Sequence, residues 1–193
     1  LIDGIDGLAS SIGIFSLSIF GTWFYLAGHQ QYAIISFSLI GSLLAFLFFN
    51  KHPAKIFMGD TGSLIIGLIS SVLSIQFIEF NRSYTGTPGY QVVSVPAIAI
   101  AVLIIPLFDT MQVFTQRIIN GNSPFLPDRN HLHHLLLGLN LKPKKICILL
   151  VLINLCIFLF SAISQHWIAE LIVGSYLAFL TVFTIFCRYK LKK

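Results

Sequence analysis

Apolar residues fall into six long stretches along the chain of 193 residues, at roughly 8–27, 31–49, 61–79, 91–109, 146–164 and 167–187. A helix needs about 20 apolar residues to cross the hydrocarbon core of a bilayer, and each stretch is close to that length. Backbone groups in lipid cannot bind water, so each stretch must be helical. The pattern predicts an all-α membrane protein, a polytopic bundle of about six transmembrane helices. Pro96 and Pro106 predict a kink in the fourth.

Composition agrees with this class. Hydrophobic residues make up 56% of the chain and charged residues 10%, whereas charged residues make up about 25% of a typical soluble domain. The mean hydropathy is +0.87. The three cysteines lie in apolar stretches without metal-binding spacing, so we expect them to be reduced, lipid-buried small hydrophobic residues. The lipid bilayer is the first partner that the sequence predicts.

Charge is distributed unevenly between the two ends of the predicted helices. If the N-terminus is cytosolic, all but one of the 12 basic residues lie on the cytosolic side, the exception being Arg82. Such an excess of Lys and Arg is typical of cytosolic loops. It accounts for the net charge of +5, so no nucleic-acid partner is expected. Aromatic residues fall near the outer boundary, as an aromatic belt does: Trp23, Tyr25, Tyr32, Tyr84, Tyr90 and Trp167.

Aspartates also gather on the cytosolic side, at Asp3, Asp6, Asp60, Asp109 and Asp128. The positive-inside rule concerns Lys and Arg and does not require this arrangement. Any single aspartate is explained equally well as a helix cap. The five together favour a site at the cytosolic surface.

The first candidate segment is Asp3-Gly4-Ile5-Asp6-Gly7-Leu8. In a helix, Asp3 and Asp6 would lie on one face, and the two glycines permit tight turns. Paired carboxylates at a membrane surface suit a hard cation such as Mg²⁺. Two capping aspartates at a polar helix start explain the pattern equally well.

The second candidate segment is Phe57-Met58-Gly59-Asp60-Thr61-Gly62-Ser63, directly before an apolar stretch. A helix N-terminus offers free N–H groups and the positive end of the dipole. A diphosphate could bind there through the backbone, with Mg²⁺ held by Asp60. An ordinary Asp N-cap is the alternative.

The third candidate segment, at 127–134, lies in the longest polar stretch and ends in His131-Leu132-His133-His134. Histidine can bind metal, shuttle protons or, when protonated, bind phosphate, and Arg129 suits bidentate contact with phosphate. Zinc is the rival ligand, but it usually takes four ligands with wider spacing. Phosphate recognition is therefore favoured.

Several other polar residues lie in or beside the apolar stretches. Asp109, at the cytosolic end of the fourth helix, is a functional candidate because ionisable residues in membrane helices usually have a function, although it is also near water. The isolated His29, His52 and His166 are interpreted as interfacial polar residues. Asn154 is interpreted as an interhelical hydrogen-bond residue.

Together these segments resemble the polyprenyl-phosphate N-acetylhexosamine-1-phosphate transferase family. The resemblance rests on the order and spacing of 3–8, 57–63, 106–109 and 123–134, which extend across nearly the whole chain.

The resemblance implies an integral membrane enzyme that transfers a sugar-1-phosphate, by default N-acetylglucosamine-1-phosphate, from a UDP-sugar to undecaprenyl or another polyprenyl phosphate and releases UMP. This would be the first membrane step of cell-envelope polysaccharide synthesis. The cofactor would be Mg²⁺, with Mn²⁺ as an alternative. The enzyme would be multi-pass in the bacterial plasma (inner) membrane with a cytosolic active site. Residues 1–193 would form one transmembrane catalytic domain, with 117–145 as a cytosolic loop within it, and a homodimer is one option for its assembly.

The resemblance also implies roles for individual residues. Asp3, Asp6 and Asp60 would be catalytic, and Asp60 would be the Mg²⁺ ligand. The residues implied to bind substrate are Asp109, Arg129, His131, His133 and His134.

The chain begins at Leu1 in the middle of a motif, which predicts the C-terminal portion of a longer protein. The family's Asp-Asp-x-x-Asp motif, from an earlier loop, is absent from the sequence. Two alternatives stay open: a truncated paralogue that keeps the fold without activity, and a membrane transporter. Inverted repeats or intramembrane charge pairs would favour a transporter, and the sequence has neither.

Overall fold

The computed structural model describes residues 4–82, 92–123 and 131–191, and all regular secondary structure within these ranges is helical. The helices are α1 (Leu8–Leu26), α2 (Gln30–Asn50), α3 (Gly59–Arg82), α4 (Val95–Val102), α5 (Ile104–Ile119), α6 (Leu132–Gly138), α7 (Pro143–Ile163) and α8 (Ala169–Leu191).

Five of these helices, α1, α2, α3, α7 and α8, are long and apolar enough to cross a membrane. They coincide with five of the six predicted stretches to within a few residues at each end. The pair α4 and α5 would make a sixth span if it is counted as one. The prediction of a polytopic all-α membrane bundle is confirmed.

The fourth predicted span differs from the observed structure. A single kinked helix at 91–109 was expected, but α4 ends at Val102 and α5 leaves it at a bend of 78°. Helix α5 then continues to Ile119, ten residues past the predicted end. The polar stretch at 117–145 is also partly helical, since it contains the end of α5, all of α6 and the start of α7.

The bend has a local cause. Pro106 has no N–H, so the carbonyl of Val102, its normal partner four residues back, is left without an intrahelical donor. The Asn154 Nδ2 of α7 donates to that carbonyl at 3.0 Å, and its Oδ1 accepts from the Ile105 N–H at 3.4 Å. Asn154 is completely buried. The predicted interhelical role of Asn154 is confirmed, and the amide replaces the hydrogen bonds that the break removes.

Helix α1 lies at the centre of the bundle. Its Leu17, Phe20 and Phe24 are fully buried, and its residues take part in both hydrophobic cores. One core joins α1 to α2, α3 and α4, and the other joins the start of α1 to α4, α5, α6, α7 and α8. A Cβ at Gly21 would lie 2.7 Å from the Ser36 Cβ, so small residues allow α1 and α2 to pack closely.

The two ends of the helix bundle differ in the residues that they hold. At one end, aromatic rings of α1, α2 and α3 cluster around His29, which stacks on Phe80 with centroids 3.9 Å apart. Trp23 and Tyr32 belong to this cluster, as the predicted aromatic belt requires, whereas Tyr84 and Tyr90 lie outside the described residues. The opposite end holds the N-termini of α1, α3 and α7, and we call it the polar end.

Candidate active site

The segment before α1 forms a turn that anchors the polar end. Residues 4–7 are non-helical, and Gly7 has a φ of 78°, which favours glycine. The Gly7 N–H donates to the Asn50 Oδ1 at 2.8 Å, and the Asn50 Nδ2 donates to the Ile56 carbonyl at 2.8 Å. Asp6 is not helical, because the helix starts only at Leu8, so the condition under which Asp6 would share a helical face with Asp3 is not met. Asp3 lies outside the described residues.

Asp6 holds the loop between α2 and α3. Its Oδ2 accepts the Ala54 N–H at 3.1 Å and pairs with the His52 Nδ1 at 2.9 Å. His52 is therefore not isolated, and its half-exposed side chain at the polar end agrees with the interpretation of an interfacial polar residue. Asn50 was missed altogether. Its signal was a polar residue at the end of an apolar run, and it is 2% exposed.

Asp60 lies in the first turn of α3 and is exposed. The preceding Gly59 has a φ of 66°, which turns the chain from the loop into the helix. The Ser63 hydroxyl donates to the backbone carbonyl of Asp60 at 3.0 Å, so this hydrogen bond does not involve the Asp60 carboxylate. Asp60 thus presents its charge outward at the polar end.

An open groove of about 650 Å³ starts at Asp60 and runs along α3 between α1 and α5. Its walls are mostly apolar and include the small residues Gly13 and Gly67. From Asp60 to Ser71 the groove follows α3 for roughly 16 Å, at about 1.5 Å per residue. Pro106 and Thr110 on α5 line the same groove, so it connects the Asp60 segment to the helix that carries Asp109.

Asp109 is buried, with 6% of its surface exposed. Its Oδ2 accepts from or pairs with the His131 Nδ1 at 2.8 Å, and its Oδ1 accepts the Leu132 N–H at 2.6 Å. Two predicted site residues that are 22 positions apart are therefore in direct contact. The same carboxylate caps the N-terminus of α6, because the side chain of the N-cap residue, His131, makes no capping hydrogen bond to the helix backbone.

The three histidines form a cluster of rings. The rings of His131 and His133 are parallel to within 8° with centroids 5.6 Å apart, and those of His133 and His134 are 4.3 Å apart. His133 is 3% exposed. Burial, followed by the neighbouring His134, lowers the pKa of His133 from 6.5 to about 4, so this ring is neutral at pH 7.

His133 also joins the third segment to the first. A Cβ added at Gly4 would overlap the His133 imidazole, so the absence of a side chain at Gly4 allows the ring to pack there. The His133 Nε2 is buried and has no hydrogen-bond partner among the residues that the structure describes. Arg129 lies outside the described residues. The structure thus brings together the segments of Gly4, Asp109 and His131, which are distant in sequence.

The described residues offer few protein ligands for a metal ion. Within 4–82, 92–123 and 131–191, no three His, Cys, Asp or Glu side chains are placed to hold one. Mg²⁺ usually takes one or two protein carboxylates and completes its shell with water and substrate phosphates. The exposed carboxylate of Asp60 fits this mode.

Residues 1–78 match the model of the family described as glycosyl transferase family 4. The chain is 36% identical over 186 residues to a probable undecaprenyl-phosphate N-acetylglucosaminyl 1-phosphate transferase of Bacillus subtilis, covering 96% of this chain and 47% of the relative. It is 35% identical over 162 residues to a decaprenyl-phosphate N-acetylglucosaminephosphotransferase of Mycobacterium leprae, covering 78% and 40%. A Yersinia pestis undecaprenyl-phosphate alpha-N-acetylglucosaminyl 1-phosphate transferase is 27% identical over 170 residues, covering 86% and 44%. No solved structure is significantly similar.

The apolar helices define a multi-pass membrane protein. Carboxylate and histidine side chains meet at the polar end of its bundle. The likeness to glycosyl transferase family 4 lies in residues 1–78, and the likeness to the three curated relatives named above covers 78% to 96% of the chain. It spans about half the length of the curated relatives it matches.

Proposed function

We propose that this protein transfers N-acetylglucosamine-1-phosphate from UDP-N-acetylglucosamine to undecaprenyl or another polyprenyl phosphate and releases UMP. The observation that carries the proposal is the meeting of the Gly4, Asp60, Asp109 and His131 segments at one end of the bundle, beside an apolar groove. The names of the relatives support the same reaction.

The groove supports a lipid acceptor. A polyprenyl chain is apolar and its phosphate is anionic, so the acceptor needs an apolar channel that ends at a polar site. The groove has this character, since apolar residues of α1, α3 and α5 line it and Asp60 lies at one end. The acceptor would enter sideways from the bilayer with its phosphate at the polar end.

The charge distribution supports a cytosolic site in a bacterial plasma membrane. Lys51 and Lys55 in the α2–α3 loop, Lys144 at the start of α7 and Lys190 at the end of α8 belong to the polar end, whereas Arg82 ends α3 at the opposite end. Positive residues are retained on the cytosolic side. A cytosolic site gives the soluble nucleotide sugar access to the lipid headgroup, and the relatives named above are bacterial.

Mg²⁺ is the proposed cofactor, and Asp60 is the residue that would hold it together with substrate phosphates. When bound, the ion neutralises charge on the phosphate oxygens. Mn²⁺ also accepts oxygen ligands and is the alternative. Asp6 contributes differently, because its carboxylate fixes the loop that precedes Asp60 through His52 and Ala54.

In the proposed reaction an oxygen of the acceptor phosphate attacks the β-phosphorus of the nucleotide sugar. The bond from that phosphorus to the oxygen bridging to the α-phosphorus breaks, and UMP leaves with the bridging oxygen. Positioning and electrostatics supply most of the rate enhancement in phosphoryl transfer. The groove orients the acceptor, and His131 and His134 contact the anionic donor.

The test uses the protein expressed from its complete coding sequence in membranes. UDP-N-acetylglucosamine labelled in the sugar is supplied with polyprenyl phosphates of short and long chain, with Mg²⁺, Mn²⁺ or EDTA. We expect label in the lipid phase, equimolar UMP, loss of transfer in EDTA, and a lower KM for the longer acceptor. Absence of lipid label with every UDP-sugar tried would overturn the proposal and favour the non-catalytic paralogue.

A further inference from the structure

Both oxygens of the Asp109 carboxylate are bonded to protein partners. One oxygen is 2.8 Å from the His131 Nδ1 and the other accepts the Leu132 N–H at 2.6 Å. The side chain is 8% exposed. A carboxylate with both oxygens engaged has little capacity left for a substrate, and its charge would repel a phosphate. Direct contact between Asp109 and an anionic substrate, which the family resemblance implies, is therefore disfavoured by the geometry.

The same contacts determine how the His131 ring is presented. An ionised carboxylate only accepts hydrogen bonds, so the proton must be on Nδ1. The Nε2 then lies on the opposite side of the ring, and no other hydrogen bond to this ring exists among residues 4–82, 92–123 and 131–191. The parallel ring of His133, at 5.6 Å, restricts its rotation.

We propose that Asp109 is a positioning residue that acts through His131: it fixes the ring so that Nε2 faces the diphosphate of the donor nucleotide. This inference rests on the proposed function for the nature of the donor. When the ring carries a second proton, Nε2 donates to a phosphate oxygen and the carboxylate beneath the ring balances its charge. Asp109 therefore contributes to donor binding without touching the donor.

A purely structural role makes a different prediction. Asp109 also caps α6, because Oδ1 accepts the Leu132 N–H. If capping were its whole role, an asparagine would replace it, since an amide oxygen also accepts from N–H. The two partners bond to different oxygens of Asp109, however, so an asparagine whose Oδ1 accepts from Leu132 turns its NH2 group, a donor, towards the His131 Nδ1 and cannot accept the proton there. The variant Asp109→Asn thus separates capping from positioning.

The experiment measures binding of UDP by calorimetry to the purified protein made from its complete coding sequence. The variants are Asp109→Asn, His131→Ala and the two combined, with Thr115→Val, on the exposed face of α5, as a matched isosteric control. We expect each single change to weaken UDP binding about tenfold, the size of one charge-assisted hydrogen bond. In the His131→Ala background, Asp109→Asn should change the dissociation constant for UDP by less than about twofold. The midpoint of thermal unfolding of Asp109→Asn should stay near that of the wild type.

Additive losses in the combined variant would overturn the inference, as would wild-type affinity for UDP in Asp109→Asn or His131→Ala. A wild-type protein that does not bind UDP would overturn it too. Transfer activity reports on the proposed function separately: additive losses with intact transfer reject only the positioning role. Coupled losses of UDP binding in a protein without transfer activity reject only the proposed reaction.

Discussion

Asp60 and Asp109 have the same side chain in opposite surroundings. Asp60 is exposed in the first turn of α3, whereas Asp109 is 6% exposed and bonded to His131 and Leu132. Both are found in sequence as aspartates at the end of an apolar stretch. Their different surroundings depend on neighbours that are distant in sequence, so the burial and the partners of Asp109 could not be predicted before the fold was known.

Gly4 tests the contact between the first and third segments. In Gly4→Ala the new methyl group would overlap the His133 ring, so either the turn or α6 must shift. Overpacking of this kind costs about 1–3 kcal/mol, and a displacement of about 1 Å at a reacting centre can reduce the rate on the order of a hundredfold. We expect a lower midpoint of thermal unfolding in detergent together with a large loss of transfer.

Gly41→Ala in α2 is the matched control, because a Cβ there meets no atom within 4 Å. It should leave transfer unchanged and raise the free energy of unfolding by up to about 1 kcal/mol, since alanine favours a helix. Equal behaviour of the two variants would show that Gly4 and His133 are not in contact.

His133 makes stability depend on pH. Its pKa in the folded protein is about 4, below the ordinary 6.5, chiefly because it is buried. The unfolded chain therefore binds the proton more tightly between these values, and the free energy of unfolding rises with pH across this range. The contribution is fully present above pH 6.5 and is lost as the pH falls towards about 4. Thermal unfolding from pH 4 to 8 measures this, and His133→Gln should have a shallower slope. An identical slope in the variant would refute the assignment.

Most of the helices could be predicted from the hydrophobic pattern of the sequence. Five spans match because a bilayer imposes both the length and the helical form of each apolar stretch. The pattern did not predict the 78° bend. Pro106 was visible in the sequence, but the direction of α5 depends on Asn154, 48 residues later, which satisfies the freed carbonyl of Val102.

Asn154→Leu tests that account of the bend. Leucine is close to asparagine in size but leaves the Val102 carbonyl and the Ile105 N–H without partners in a buried site. Each unsatisfied group costs about 1–3 kcal/mol. We expect a lower midpoint of thermal unfolding and reduced transfer, because α5 carries Asp109.

Leu152→Ala, at an exposed position of the same helix, serves as the control for Asn154→Leu. It should change both the unfolding midpoint and the transfer rate less. If the two variants lose equal stability, the amide does not hold the break.

At the scale of the whole molecule, the fold gathers the motif segments at one end. The sequence indicated this by placing the aspartates and most basic residues on one predicted side. It could not indicate the pairs Asp6–His52 and Asp109–His131, or the packing of His133 on Gly4, because these contacts join segments from 22 to 129 residues apart. Asp3 and Arg129 lie outside the described residues, and their roles stay predictions.

The proposed transferase site at the polar end is built around the exposed carboxylate of Asp60. The most direct measurement is the Mg²⁺-dependent transfer of labelled sugar phosphate to lipid by Asp60→Asn, compared with Glu170→Gln in the first turn of α8. We expect Asp60→Asn to lower the transfer rate about a hundredfold or more with an unchanged unfolding midpoint, since Asn is also favourable at a helix N-terminus. Glu170→Gln should retain the wild-type rate. Wild-type transfer by Asp60→Asn would show that the transferase site does not depend on this carboxylate.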